Sequence, residues 1–158
     1  MTPSGEQTFT YVGAEFDNTV QAGFIPITGH LEGSVTFATD MTGFTGTATL
    51  ADISSYSLKV VGTSYAASYP NPQLCPPGNF DVMFTFVDGT ITSWVLETNF
   101  ITTKTACRPG YGDYGDVSIQ TVSNSGGQQD GAEWSNPNGP NAHGGTITRS
   151  AHGWQPAS

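Results

Sequence analysis

An Asp88-Gly89 pair in the middle of the chain connects two segments that are rich in β-branched and aromatic residues, residues 80–87 and 90–96. An Asp-Gly pair between two such segments is the strongest short-range signal for a β-hairpin, because both central residues of its tight turn take positive φ angles. The two-residue turn also fixes which residues face each other. The sequence therefore predicts an antiparallel strand pair of known register.

The register of this hairpin divides its side chains between two faces, because successive side chains on a strand point in opposite directions. In an uninterrupted ladder, Phe86 faces Ile91 and Met83 faces Trp94. The apolar face, which we expect to lie in the core, consists of Phe80, Val82, Phe84, Phe86, Ile91 and Val95. The opposite, mixed face consists of Asp81, Met83, Thr85, Thr92, Trp94 and Leu96.

Other segments of the 158-residue chain also have the composition or alternation that is typical of strands. They are residues 7–12, 27–40, 44–50, 55–65, 116–122 and 145–150. With 20 glycines and 10 prolines to supply turns, and no convincing helical periodicity, the chain reads as all-β. We predict one domain over residues 1–158, an antiparallel β-sandwich of jelly-roll type, with a flattened β-barrel as the alternative.

Residues 124–144 differ in composition from the rest of the chain, since they are dominated by Gly, Asn, Ser, Gln and Pro and hold one tryptophan, Trp134. We predict a long Gly/Asn-rich loop here. Long loops in compact domains are usually functional or disordered. This segment is therefore the first place to seek a binding surface.

The balance of charge excludes two classes of partner. The chain carries 13 acidic residues against 4 lysines and arginines, a formal net charge of −9 at pH 7. Nucleic acids and anionic membrane surfaces require a basic patch, so we expect neither as a partner. No run of about 18 apolar residues is present, so we expect no membrane insertion. We expect no cofactor either, because His30, His143 and His152 lie at none of the spacings typical of metal sites.

Two cysteines, Cys75 and Cys107, lie in similar turn-rich segments on either side of the hairpin. We predict a disulfide between them, with two free thiols as the alternative. A disulfide requires an oxidising compartment. The prediction implies a secreted or cell-surface protein whose export signal has been removed, since the first residues are polar and not signal-like.

Three segments together resemble a known family: residues 27–38 (ITGHLEGSVTFA), residues 51–58 (ADISSYSL) and residues 84–94 (FTFVDGTITSW). Their order, followed by a Gly/Asn-rich region, is similar to that of PEP-CTERM proteins, small exported β-rich proteins of Gram-negative bacteria with a C-terminal Pro-Glu-Pro sorting signal. The signal itself is missing from this chain. The resemblance implies export, residence at the cell surface or in the matrix, and association with secreted polysaccharide. It supplies no catalytic residues.

Aromatic rings beside amides and carboxylates typically bind sugars, because a ring covers the apolar face of the sugar while polar groups bond its hydroxyls. The candidates for binding an extracellular glycan are Trp134, Tyr111, Tyr114 and Trp94. Trp134 is the leading one, and its hydrogen-bonding neighbours are Gln128, Gln129, Asp130, Asn136 and Asn138. For Trp94, burial in the core of the sandwich is the alternative.

A catalytic function would need a different arrangement. A glycosidase requires two carboxyl groups about 5–10 Å apart, and the candidates for such a pair are Glu133, Asp130, Asp113 and Glu97. Asp113 and Asp116 are weaker candidates for a Ca²⁺ site, because their segment lacks EF-hand spacing. The sequence contains no nucleophile elbow and no phosphate-binding loop.

These patterns favour an exported cell-surface or matrix protein that binds polysaccharide without catalysis. A small secreted glycoside hydrolase that uses a carboxylate pair is one alternative, and a purely structural surface protein is the other. Convergence of the four candidate carboxylates in one cleft would favour the hydrolase. An exposed aromatic platform would favour the binding protein.

Overall fold

The computed structural model describes residues 5–17, 25–63, 66–69, 81–101, 116–124, 127–135, 142–148 and 153–157. Within these ranges the regular structure consists of strands and one turn of 3-10 helix, Leu50–Asp52. The strands are β1 (Gln7–Val12), β2 (Ile25–Pro26), β3 (His30–Phe37), β4 (Gly46–Thr49), β5 (Ile53–Val61), β6 (Ala66–Tyr69), β7 (Asp81–Val87), β8 (Thr90–Ile101), β9 (Asp116–Asn124), β10 (Gly127–Ser135), β11 (Ala142–Thr148) and β12 (Trp154–Pro156). No helix in these ranges is long and apolar enough to cross a membrane.

The strands form two separate sheets. A five-stranded sheet has the order β12-β1-β3-β5-β6, and a seven-stranded sheet has the order β2-β11-β10-β9-β8-β7-β4. Neighbouring strands are antiparallel except at one edge, where the two-residue strand β2 runs parallel to β11. The predicted all-β sandwich of antiparallel sheets is therefore confirmed, and neither sheet closes on itself as the flattened-barrel alternative requires.

The core lies between the two sheets and is rich in aromatic rings. Phe9 of the five-stranded sheet packs edge-on against Phe86 of the seven-stranded sheet, with ring centroids 5.6 Å apart. Phe37 and Phe84 repeat this contact at 5.5 Å. All four rings are fully buried. Such edge-to-face pairs are favourable beyond the apolar area that they bury, and here they hold one sheet against the other.

The central hairpin has the predicted turn. Asp88 and Gly89 both take positive φ angles, 49° and 77°, as a type I′ turn requires. Phe86 faces Ile91 as expected. Glycine tolerates such an angle because it has no Cβ, and aspartate is one of the few other residues that adopt it.

Beyond the turn, the predicted register is wrong by one residue. A β-bulge places Thr92 opposite no partner, so that Phe84, and not Met83, faces Trp94. The extra residue turns every later side chain of β8 to the other face. Trp94 and Leu96 are consequently buried in the core, whereas Val95 lies on the outer face and is only partly buried. Phe80 lies outside the described residues.

The predicted loop over residues 124–144 is also wrong for most of its length. Residues 127–135 form strand β10, and residues 124 and 142–144 belong to β9 and β11, the strands that pair with it on either side. The segment has a poor intrinsic preference for strands, but neighbouring strands on both sides override such preferences. Buried polar side chains on this strand are accommodated by hydrogen bonds, as Gln128 shows by donating to Tyr11.

Candidate functional site

A row of small polar side chains crosses the outer face of the five-stranded sheet. Strand pairing places Thr10 opposite Ser34, Ser34 opposite Ser57, and Ser57 opposite Ser68. None of these four side chains is buried, whereas the intervening residues on β1, β3 and β5 pack into the core. Gln155 extends the row onto β12, because it faces Thr10. The row is thus a strip of hydrogen-bonding groups with one member on each strand of the sheet.

A groove of about 400 Å³ is formed where this row crosses β3, β5 and β6. Most of the residues that line it are small, and the larger ones are Glu32, Leu58 and Lys59. Its lining consists of Glu32, Gly33, Ser34, Ser57, Leu58, Lys59, Ala66 and Ser68. The groove combines hydroxyl groups, one carboxylate and one ammonium group on a rigid strand scaffold.

The charged groups at the groove form a short chain of contacts. Lys59 Nζ lies 3.5 Å from Glu32 Oε2, and His30 Nε2 lies 3.4 Å from Glu32 Oε1. The other ring nitrogen of His30 lies 2.9 Å from Glu15 Oε1. Lys59 is 61% exposed and Glu32 is 38% exposed, so their ion pair contributes at most about 1 kcal/mol to stability. Both groups are therefore available to a ligand at little energetic cost.

A second polar cluster lies buried between the sheets. The Tyr11 hydroxyl donates to both carboxylate oxygens of Asp130, at 2.8 and 2.7 Å, and accepts a hydrogen bond from the Gln128 amide. All three side chains are at most 1% exposed. Gly13 passes so close that a Cβ there would lie 2.1 Å from Asp130 Oδ2. This cluster connects the two sheets, and its burial suits a structural role.

The cluster predicts a loss of stability at alkaline pH. Burial and the neighbouring Asp130 carboxylate raise the pKa of Tyr11 well above its ordinary value. The unfolded chain releases the tyrosine proton near pH 10, whereas the folded protein retains it. The contribution of Tyr11 to stability is therefore complete below about pH 10 and falls by about 1.4 kcal/mol per pH unit above it.

Urea unfolding from pH 9 to 11 should show this decline in stability, and a shallower decline in Tyr11→Phe would assign it to Tyr11. An equal decline in both proteins would contradict the assignment.

The structure separates the residues that the sequence proposed for glycan binding. Trp94 is 2% exposed and donates to Thr121 Oγ1 at 2.9 Å, so it offers no ring face to a ligand. The prediction that Trp94 binds a glycan is therefore corrected, because the bulge turns its side chain into the core. Asp130 and Gln128 are likewise buried and cannot be surface neighbours of Trp134.

The side chains of the remaining aromatic candidates lie outside the part of the chain that the structure describes. Trp134 belongs to strand β10 opposite Ala142, not to a loop, and its side chain lies outside the described residues. Tyr111, Tyr114, Asn136 and Asn138 also lie outside the described residues, as do both cysteines, Cys75 and Cys107. Their roles, and the disulfide, stay predictions.

The candidate carboxylates that are described lie on both faces of the seven-stranded sheet. Asp130 points into the core, whereas Glu133, three residues further along β10, is partly exposed on the opposite face. Glu97 faces Gln120 on β9 and Glu133 faces Ser118 on the same strand, so β9 separates the two glutamates. Asp113 lies outside the described residues.

No candidate metal centre emerges from the ranges that the structure covers. Within them, no three His, Cys, Asp or Glu side chains come together as a potential metal site. Of the weaker Ca²⁺ candidates, Asp113 lies outside the described residues, and Asp116 is described only by its backbone, as the first residue of β9.

The residues of the groove were not singled out from the sequence. Glu32, Ser34, Ser57 and Lys59 alternate with apolar residues or glycine along β3 and β5, and this pattern identifies them as outward-facing. It does not reveal that the two strands are neighbours in register, or that Ser68 completes the row.

Comparison of the chain with protein-family models, with curated proteins and with solved structures found no match.

Proposed function

We propose that this protein binds polysaccharide without catalysis, and that the groove on the outer face of the five-stranded sheet is the binding site. The observation that carries the proposal is the groove itself, in which the hydroxyl row of Ser34, Ser57 and Ser68 runs beside the Glu32–Lys59 ion pair. Hydroxyls donate and accept hydrogen bonds, a carboxylate accepts them, and an ammonium group donates them. Together they match the hydroxyl groups of a sugar chain.

Rigidity is the second property that supports binding. Every residue that lines the groove belongs to one of three paired strands. A site on paired strands is already ordered before the ligand arrives, so binding does not have to pay for ordering a loop. A shallow groove of this kind suits an extended polymer better than a small molecule, which binding sites usually enclose.

Export to the cell surface or the extracellular matrix is part of the same proposal. Charged residues make up only 11% of the chain, and the two cysteines would form a disulfide in an oxidising compartment. The resemblance to PEP-CTERM proteins points to the same location, and polysaccharide is abundant there.

Filling the groove tests the proposal. Ser57→Ile removes a hydroxyl and places a larger apolar side chain in the groove, and isoleucine is well accommodated on an exposed strand position. We expect about a tenfold or greater loss of affinity, equivalent to about 1.4 kcal/mol, for the polysaccharide that the wild type binds best in affinity gel electrophoresis. Ser93→Ile makes the same change on the outer face of the other sheet and should leave retention unchanged.

The same gels distinguish the groove from the site favoured by sequence composition. If the groove binds the ligand, Trp134→Ala should be retained like the wild type. Loss of retention in Trp134→Ala, together with normal retention of Ser57→Ile, would contradict the groove and favour the Trp134 segment. A steady fall in polysaccharide viscosity on incubation with the wild type would instead favour the hydrolase.

A further inference from the structure

We infer that the ligand is an electrically neutral polysaccharide whose chain lies across the strands, along the hydroxyl row that runs from Ser68 to Gln155. The inference rests on the proposed function, because it concerns the same groove. It adds that the ligand is uncharged, that its chain runs across the strands, and that it makes further contacts outside the groove.

The charge balance of the groove supports the claim that the ligand is electrically neutral. Lys59 is the only lysine or arginine in the described ranges, and it lies beside Glu32, the only acidic residue of the lining. The lining therefore has no net formal charge, and Glu15, which contacts His30, is not part of it. The chain as a whole carries a net charge of −9 and repels polyanions such as uronate polymers. A polycation would have to place its positive charges next to Lys59.

The direction of the ligand follows from the register. The row Gln155, Thr10, Ser34, Ser57 and Ser68 has one member on each strand of the five-stranded sheet. Strands lie about 4.8 Å apart, so the row is roughly 19 Å long. The groove covers only its β3, β5 and β6 members. A chain lying along the row would leave the groove over Thr10 and Gln155, so only a long ligand would reach those two side chains.

The kind of side chain in the row determines how the affinity should depend on the length of the polysaccharide. No aromatic ring is among the residues that line the described groove, so the ligand is held by hydrogen bonds to small side chains. Each such bond raises the affinity only about fivefold. Affinity should therefore rise as the ligand grows from one that fills the groove to one that spans the whole row.

Two sets of measurements test the inference. In the first, affinity gels contain neutral polymers (hydroxyethyl cellulose or dextran), anionic alginate or cationic chitosan, each at low and high salt. We expect retention by a neutral polymer, unchanged by salt, and no specific retention by alginate. Any retention by chitosan should disappear at high salt and should be the same for Glu32→Gln and Glu97→Gln, since both variants change the net charge equally.

In the second set of measurements, calorimetry compares the affinities of short and long fragments of the retained neutral polymer. Thr10→Val removes one hydroxyl of the row outside the groove. It should weaken binding of the long fragment about fivefold, the effect of one hydrogen bond, and leave the short fragment unaffected. Thr47→Val, an exposed position on β4 of the other sheet, is the matched control and should change neither.

The outcomes separate this inference from the function on which it rests. Salt-sensitive binding of alginate or chitosan that is lost in Ser57→Ile would keep the groove as the site and overturn the neutral ligand. Equal affinity for short and long fragments, or no effect of Thr10→Val, would overturn the direction across the strands. Failure of every polymer to bind, or binding that Ser57→Ile does not weaken, would contradict the proposed function itself.

Discussion

Replacing Trp154 by alanine should lower the free energy of unfolding by about 3–5 kcal/mol, the cost of removing a large buried aromatic side chain. Trp154 belongs to the three-residue strand β12 at the edge of the five-stranded sheet, yet it is only 1% exposed. Its indole stacks on Tyr11 at 5.2 Å and meets the edge of Phe84 at 5.4 Å. It thus contacts both sheets, and its removal would leave a cavity between them.

Thermal and urea unfolding would measure this effect. For a chain of this size the melting temperature should fall by roughly 10 °C. Gln155→Ala changes the exposed neighbour on the same strand and should leave the melting temperature unchanged. A melting temperature of Trp154→Ala within a degree or two of the wild type would show that β12 does not pack on β1 as described.

Tyr11→Phe should destabilise the protein by about 3 kcal/mol, because it leaves a buried carboxylate without one of its donors. The Tyr11 hydroxyl is bonded to both oxygens of Asp130 and to the Gln128 amide. The substitution changes the volume of the side chain very little, so the loss reports the hydrogen bonds and not a cavity.

Tyr56→Phe is the matched control for this prediction. Tyr56 is also buried in the core, at 3% exposure, but its hydroxyl makes no well-formed hydrogen bond to a described residue and has the neutral hydroxyl of Thr98 nearby. Removing an unbonded buried hydroxyl should be neutral or slightly stabilising. Equal losses in the two variants would contradict the buried Tyr11–Asp130–Gln128 cluster as a specific stabilising feature.

The sequence predicted those parts of the fold that local rules determine. The type I′ turn at Asp88-Gly89 follows from residue chemistry alone, and the predicted strand segment 55–65 overlaps strand β5, Ile53–Val61. The bulge at Thr92 was missed because no local pattern marks it, although it decides which face Trp94 occupies. Strand β10 was missed because its pairing on both sides, and not its composition, makes it a strand.

The candidate site was out of reach of the sequence for a related reason. Ser34, Ser57 and Ser68 are far apart in the chain and ordinary in composition, and only the register of three strands brings them into one row. Composition instead drew attention to Trp134, because a single tryptophan among Gly, Asn and Gln residues is conspicuous. Part of that segment proved to be buried, as Gln128 and Asp130 show.

The most direct test of the account is to map the ligand onto the protein by amide chemical shifts in ¹⁵N-labelled protein. A soluble fragment of the polysaccharide that the wild type binds best is titrated into the sample. The groove predicts the largest shifts at Ser34, Ser57, Lys59 and Ser68, on three neighbouring strands of the five-stranded sheet. Shifts concentrated on the seven-stranded sheet, at Glu97 or around Trp134, with the groove residues unchanged, would contradict it.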